Sequence, residues 1–170
     1  LGWDEGRPSG PIPYAVKKKP MDVSNTRYAD SLFSAMLTSS NGLEGLANAA
    51  LQRGIDAYSQ QDYPTAVKEF KRAAGLGQSS SYGADAARYL AMAYLQLDDT
   101  ENAIKAYQSA LRIDPYRDDI HVELGHLYFS QAKYDDARAA YAEAVRVNPG
   151  TTNRYALGQA YIELGRFSDA

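Results

Sequence analysis

The sequence predicts an all-α chain, a right-handed α-solenoid of helix-turn-helix repeats preceded by an extended N-terminal segment. Three observations predict it. Beyond Gly42 the chain is alanine, tyrosine, leucine and charge, with few helix breakers. The stretch "HVELGHLYFSQAKYDDARAAYAEAVRVNP" echoes "ARYLAMAYLQLDDTENAIKAYQSALRIDP" one unit earlier, and the closing prolines, Pro115 and Pro149, stand 34 residues apart. Small residues also recur in fixed columns, which is what closely packed helix pairs require.

Residues 1–25 form a linker-like segment. Four of the seven prolines (Pro8, Pro11, Pro13, Pro20) fall here with Gly2, Gly6 and Gly10, and fixed φ angles with missing donors keep such a chain extended. The run Lys17-Lys18-Lys19 fits a solvated linker better than a nuclear or phosphate-binding signal. Residues 26–42 come next. Asn25 and Thr26 can cap a helix, and Ala29, Leu32, Phe33, Met36 and Leu37 recur at i, i+3, i+4, i+7 and i+8, an amphipathic stripe of about three turns. Ser39, Ser40, Asn41 and Gly42 are expected to stop it.

Residues 43–170 form the repeat domain, with units near 47–83, 84–117, 118–150 and 151–170. In the first helix of each unit a small residue recurs as Gly54, Ala91, Gly125 and Gly158; in the second an alanine recurs as Ala66, Ala103, Ala137 and Ala170. Both columns step by 37, 34 and 33 residues, so "GLGQSSSYG" holds a three-residue expansion between the first two units. Antiparallel helices approach closely only where side chains are small, so glycine or alanine on one helix faces alanine on the other. Aromatic residues (Phe70, Tyr107, Tyr141) fill the gaps beside them. The pairs Asp98-Asp99 and Asp135-Asp136 sit where aspartate caps a following helix. The fourth unit stops at Ala170, early in its second helix, and the chain starts at Leu1 rather than methionine; an excerpt of a longer protein is expected.

The columns His121-x2-Leu124-Gly125-x2-Tyr128, Ala137-x3-Tyr141 and Pro149 resemble the tetratricopeptide repeat pattern W-x2-L-G-x2-Y, A-x3-F, P, over about three quarters of the chain. The family's tryptophan is absent from all four units. The first unit departs further, with Arg53 for leucine, Ala57 for tyrosine and no closing proline. The resemblance implies a concave groove lined by the first helices, with partner-contacting side chains on the face away from the packed glycine and tyrosine. Carried over residue by residue, that groove comprises Leu51, Ile55 and Tyr58, then Arg88, Met92 and Leu95, then Val122, His126 and Phe129, then Tyr155, Gln159 and Ile162. Each triplet is spaced i, i+4, i+7 and so shares one stripe. Nine of the twelve are apolar or aromatic, where a partnerless solenoid helix should be polar. Leu51, Met92 and Val122 serve an inter-repeat core as readily as a groove. Chaperone-binding members of the family grip a C-terminal carboxylate with cations, and Arg88 is the one clear cation in this set, so an apolar or amphipathic helix fits better.

No catalytic constellation is present. His121 and His126 are spaced i, i+5, not the i, i+4 of a helical metal pair. Gly75-Leu76-Gly77 lacks the strand and third glycine of a dinucleotide loop. No serine is paired with histidine in a known local motif. The expectation is therefore a non-enzymatic adaptor without metal or cofactor. Its occupant is a protein or peptide, including its own N-terminal helix in cis or in a second copy. The alternatives are the substrate-recognition arm of an enzyme whose catalytic domain lies past residue 170, and an assembly protein that self-associates. A net charge of −3 gives no electrostatic case for nucleic acid, no run of about 18 apolar residues predicts membrane insertion, and the absence of cysteine excludes disulfides and thiolate zinc sites. A cytoplasmic location is favoured.

Overall fold

The computed structural model describes residues 40–78 and 80–165. Within them lie seven α-helices: α1 (Ser40–Ser59), α2 (Tyr63–Leu76), α3 (Ser81–Gln96), α4 (Thr100–Ile113), α5 (Asp118–Ser130), α6 (Tyr134–Val147) and α7 (Thr151–Glu163). Each helix packs on the next. First helices α1 and α3 also touch, as do α5 and α7, so the first helices form one layer and the second helices the other. The expected helix over 26–37 and Ala170 lie outside the described residues. The stop expected at Ser39 to Gly42 is corrected: Ser40, Asn41 and Gly42 are the opening turn of α1. Serine, asparagine and glycine suit a helix start as well as an end, and composition does not distinguish the two.

The turn inside each unit is built the same way. The second residue before the next helix has a left-handed backbone at Gln61 (φ 62°), Asp98 (φ 57°) and Ala132 (φ 58°), and Gly165 (φ 70°) holds that column after α7. The following residue then caps the helix. The carboxylate of Asp62 accepts from Thr65 N at 3.2 Å, and that of Asp99 accepts from Asn102 N at 3.2 Å. In the third unit Lys133 occupies the cap and makes no side-chain cap bond, while Asp135 and Asp136 lie inside the first turn of α6. They act through the helix dipole rather than as hydrogen-bonding caps.

Small residues set the helix spacing. A Cβ added at Gly54 would stand 2.5 Å from the Phe70 ring, and one at Gly125 would stand 2.5 Å from that of Tyr141. In the second unit Ala91 fills the same column, fully buried in the cluster that holds Tyr107. Ala66, Ala103 and Ala137 are fully buried. The expansion between the first two units closes tightly: Ser80 N donates to Gly77 O at 2.9 Å, and a side chain at Gly83 would collide with that carbonyl. Burial collects in two clusters. One runs from α1 to Ile120 and Leu124 of α5, and the other joins Ala137 and Tyr141 to Ala156 and Ala160 of α7. Asn153, only 6% exposed, pins the last helix. Its amide donates to Asn148 O at 2.9 Å and to the Asp118 carboxylate at 3.1 Å.

Candidate functional site

The first-helix layer has a cleft between α5 and α7, with a volume of about 550 Å³. His126 and Phe129 enter it from α5, Tyr155, Ala156 and Gln159 from α7, and the Tyr141 ring forms its floor. The i, i+3 and i, i+4 spacings hold each set on one stripe, so successive first helices face each other across it. Four of the twelve expected groove residues, one third of the set, therefore meet in one place. The His126 ring stands edge-on to Tyr141, with centroids 5.6 Å apart. Gln159 Nε2 donates to Tyr155 Oη at 2.6 Å while Tyr155 remains 68% exposed. Ile162, 44% exposed, lies in an adjoining depression with Tyr155 and Gly158. Burial pushes the Tyr141 hydroxyl up to about 12, so it is a neutral phenol at any physiological pH.

The remaining expected groove residues are engaged in other ways. Leu51, 5% exposed, is a core residue and not a groove residue, because its stripe of α1 packs into the cluster shared with α2 and α3. Ile55, Tyr58 and Leu95 lean on the same cluster, and Val122 on the second one. Tyr58 stacks edge-on against Tyr63 at 5.4 Å, and Phe129 against Tyr134 at 5.1 Å, each pair closing the turn inside its unit. Both Tyr58 and Phe129 are partly buried. Met92 is half-buried.

Arg88 is not a free cation. Its guanidinium binds the Glu123 carboxylate, with Nε at 2.9 and 3.1 Å from the two oxygens, and lies 3.8 Å from Asp119. Arg117, just ahead of α5, holds both oxygens of Asp119 at 2.9 and 2.8 Å and reaches Asp85 of α3 at 2.7 Å. Hydrogen bonding to Glu123 raises Arg88, and hydrogen bonding to Arg117 holds Asp119 below the usual carboxylate value. The network ties the second unit to the third across the first-helix layer. Arg88 and Glu123 are 35 residues apart, one repeat plus one position, and that periodic offset was the sequence signal for the pair.

Among the described residues no group of three or more His, Cys, Asp and Glu side chains could hold a metal ion. His121 Nε2 lies 3.1 Å from Pro115 O. No described helix is long and apolar enough to cross a membrane.

Two Tetratricopeptide repeat profiles match the chain, over residues 44–118 and 94–156, and together they cover most of the described fold. The chain belongs to the tetratricopeptide repeat family. Repeats of this family mediate protein–protein interactions. Photosystem I assembly protein Ycf3 of Synechococcus sp. (strain CC9605) is 23% identical over 151 residues, 77% of this chain and 87% of that protein. The small glutamine-rich tetratricopeptide repeat-containing protein 2 of Mycosarcoma maydis is 32% identical over 97 residues, 56% of this chain but 26% of that longer protein. Among solved structures, MamA superposes with a TM-score of 0.62 at 22% identity, over 88% of this chain and 89% of MamA. The first repeat domain of Spaghetti (RPAP3), bound to the HSP90 peptide SRMEEVD, gives 0.62 at 15% identity, over 72% of this chain and 95% of that domain. At these identities the structural likeness establishes the fold alone.

Proposed function

We propose that this chain is a non-catalytic adaptor that takes an apolar or amphipathic helical peptide along its first-helix face, with the α5–α7 cleft as the anchor point. The observation that carries the proposal is the cleft itself. It is concave and aromatic, and it is formed where two first helices of neighbouring units meet. Phe129 and Tyr155 bring aromatic surface to it from two different helices, and Tyr155 is 68% exposed. Relatives and neighbours support a binding role of this kind, since one is an assembly protein and one holds a peptide.

The acidic peptide SRMEEVD is a poor model for the occupant. Capture of a C-terminal carboxylate needs free cations, and Arg88 and Arg117 are both spent on carboxylates of the chain. The chain's own stripe at Leu32, Phe33, Met36 and Leu37 is a second source of an amphipathic helix. Leu37 lies three residues before α1, a reach of about 10 Å, so in one molecule it can cover only α1 and its immediate neighbours. Filling the α5–α7 cleft with it takes a second copy.

The test is a pull-down of the natural partner by the wild type, by Tyr155→Ala with Phe129→Ala, and by Lys105→Ala with Arg112→Ala on the second-helix layer. The aromatic pair should lose binding by about 2 kcal/mol or more while helicity survives. Loss with the second-helix variant alone would move the site to the opposite layer.

A further inference from the structure

We infer that the occupant of the α5–α7 cleft is a cationic amphipathic peptide from another protein, one in which lysine or arginine flanks an apolar or aromatic anchor. The inference rests on the proposed binding role and adds the partner's charge. It begins from how the two layers divide their ionisable residues. The four first helices carry seven carboxylates against three cations, and Arg117, just ahead of α5 and bonded to Asp119 and Asp85, adds a fourth, which leaves the layer a net charge of −3. The three second helices carry seven cations against five carboxylates, a net charge of +2. An overall charge of −3 hides this separation. The layer that presents the cleft is the negative one.

The cations of the first-helix layer lie outside the cleft. Arg53 is drawn to Glu69 of α2 at 2.8 Å, and Arg88 is held by Glu123. Arg154 lines the adjoining depression with Thr151 and Gly158 rather than the cleft. The one carboxylate lining the cleft is Glu163, exposed at the C-terminal end of α7. That end carries the negative pole of the helix dipole, with the same sign. A low-dielectric wall of Phe129, Tyr141 and Tyr155 beside a carboxylate focuses negative potential where a ligand's polar edge would lie. An apolar anchor seated between those rings places its neighbouring residues against Glu163, so lysine or arginine is attracted there and glutamate is repelled.

The experiment measures binding of two fluorescent peptides of about 20 residues to the full chain. They share one apolar helical face, and the polar positions are lysine in one and glutamate in the other. At about 50 mM salt the lysine peptide should bind at least about tenfold tighter, and the preference should shrink toward parity near 1 M salt, where the Debye length is about 3 Å. Glu163→Lys should cut the preference severalfold without changing helicity, whereas Glu143→Lys on the second-helix layer should leave it unchanged.

Equal binding of both peptides, with Tyr155→Ala weakening both, would overturn the charge inference and leave the binding role standing. Binding of neither would overturn both. A dimer in solution that dissociates on deletion of residues 1–39, with peptide binding appearing only then, would assign the cleft to a second copy and refute an occupant from another protein.

Discussion

Replacing Gly125 by alanine tests the packing register most sharply, because Gly158 supplies a matched control in the same column. Alanine is better than glycine in a helix interior by about 1 kcal/mol, and both substitutions gain it. At Gly158 no described atom lies within 4 Å of the new methyl, so the gain stands alone and the chain should be stabilised by about 1 kcal/mol. At Gly125 the methyl would sit 2.5, 2.6 and 3.0 Å from three atoms of the Tyr141 ring, where carbon contacts relax at about 3.5–4.0 Å. The ring is 3% exposed and must shift by about 1 Å within its cluster. Overpacking of this kind costs about 1–3 kcal/mol. The lower half of that range applies, since the second unit carries alanine in the same column, Ala91, buried in the cluster that holds Tyr107. Gly125→Ala should therefore be neutral to destabilised by about 1 kcal/mol, some 1–2 kcal/mol below Gly158→Ala. Urea melts followed by far-ultraviolet circular dichroism measure both. Equal stability of the two variants would refute the placement of Gly125 at a helix crossing.

Ala132→Gly should stabilise the chain by about 0.5–1 kcal/mol, because alanine at φ 58° bears a left-handed penalty that glycine lacks, partly offset by the entropy of the unfolded glycine; a loss of melting temperature would contradict it. Acid should destabilise the repeats. Asn153 and Asn148 hold Asp118, and Arg117 holds Asp119, below the ordinary carboxylate value of 3.8. Both bind protons more weakly in the folded chain than in the unfolded one, so the stability they contribute is complete above that value and is lost as pH falls below it. Asp119→Asn should flatten the fall of melting temperature with acid, and an unchanged slope would remove Asp119 from the linkage.

What was legible in the sequence is what recurs in register. The columns Gly54, Ala91, Gly125 and Ala66, Ala103, Ala137 follow the six helices in register, because close approach demands small residues, but the atoms nearest a Cβ at Gly54 and Gly125 belong to the Phe70 and Tyr141 rings and not to the alanine expected there. Gln61, Asp98 and Ala132 gave no warning of a left-handed turn, since none is glycine; the turn is imposed by the helices it joins. The ring contacts of Tyr58 with Tyr63 and of Phe129 with Tyr134 were not legible, because a one-dimensional stripe does not show a partner across a turn. The cleft was legible as His126, Phe129, Tyr155 and Gln159 on two stripes. Its floor, Tyr141, was assigned to packing alone.

Hydrogen exchange of the full chain with and without its partner is the most direct test of the central claim. Binding in the cleft predicts slowed amide exchange along α5 and α7, centred on His126 to Ser130 and Tyr155 to Gln159, with α2 and α4 unchanged. Protection confined to α2 and α4, with the α5–α7 amides exchanging as in the free chain, would contradict it.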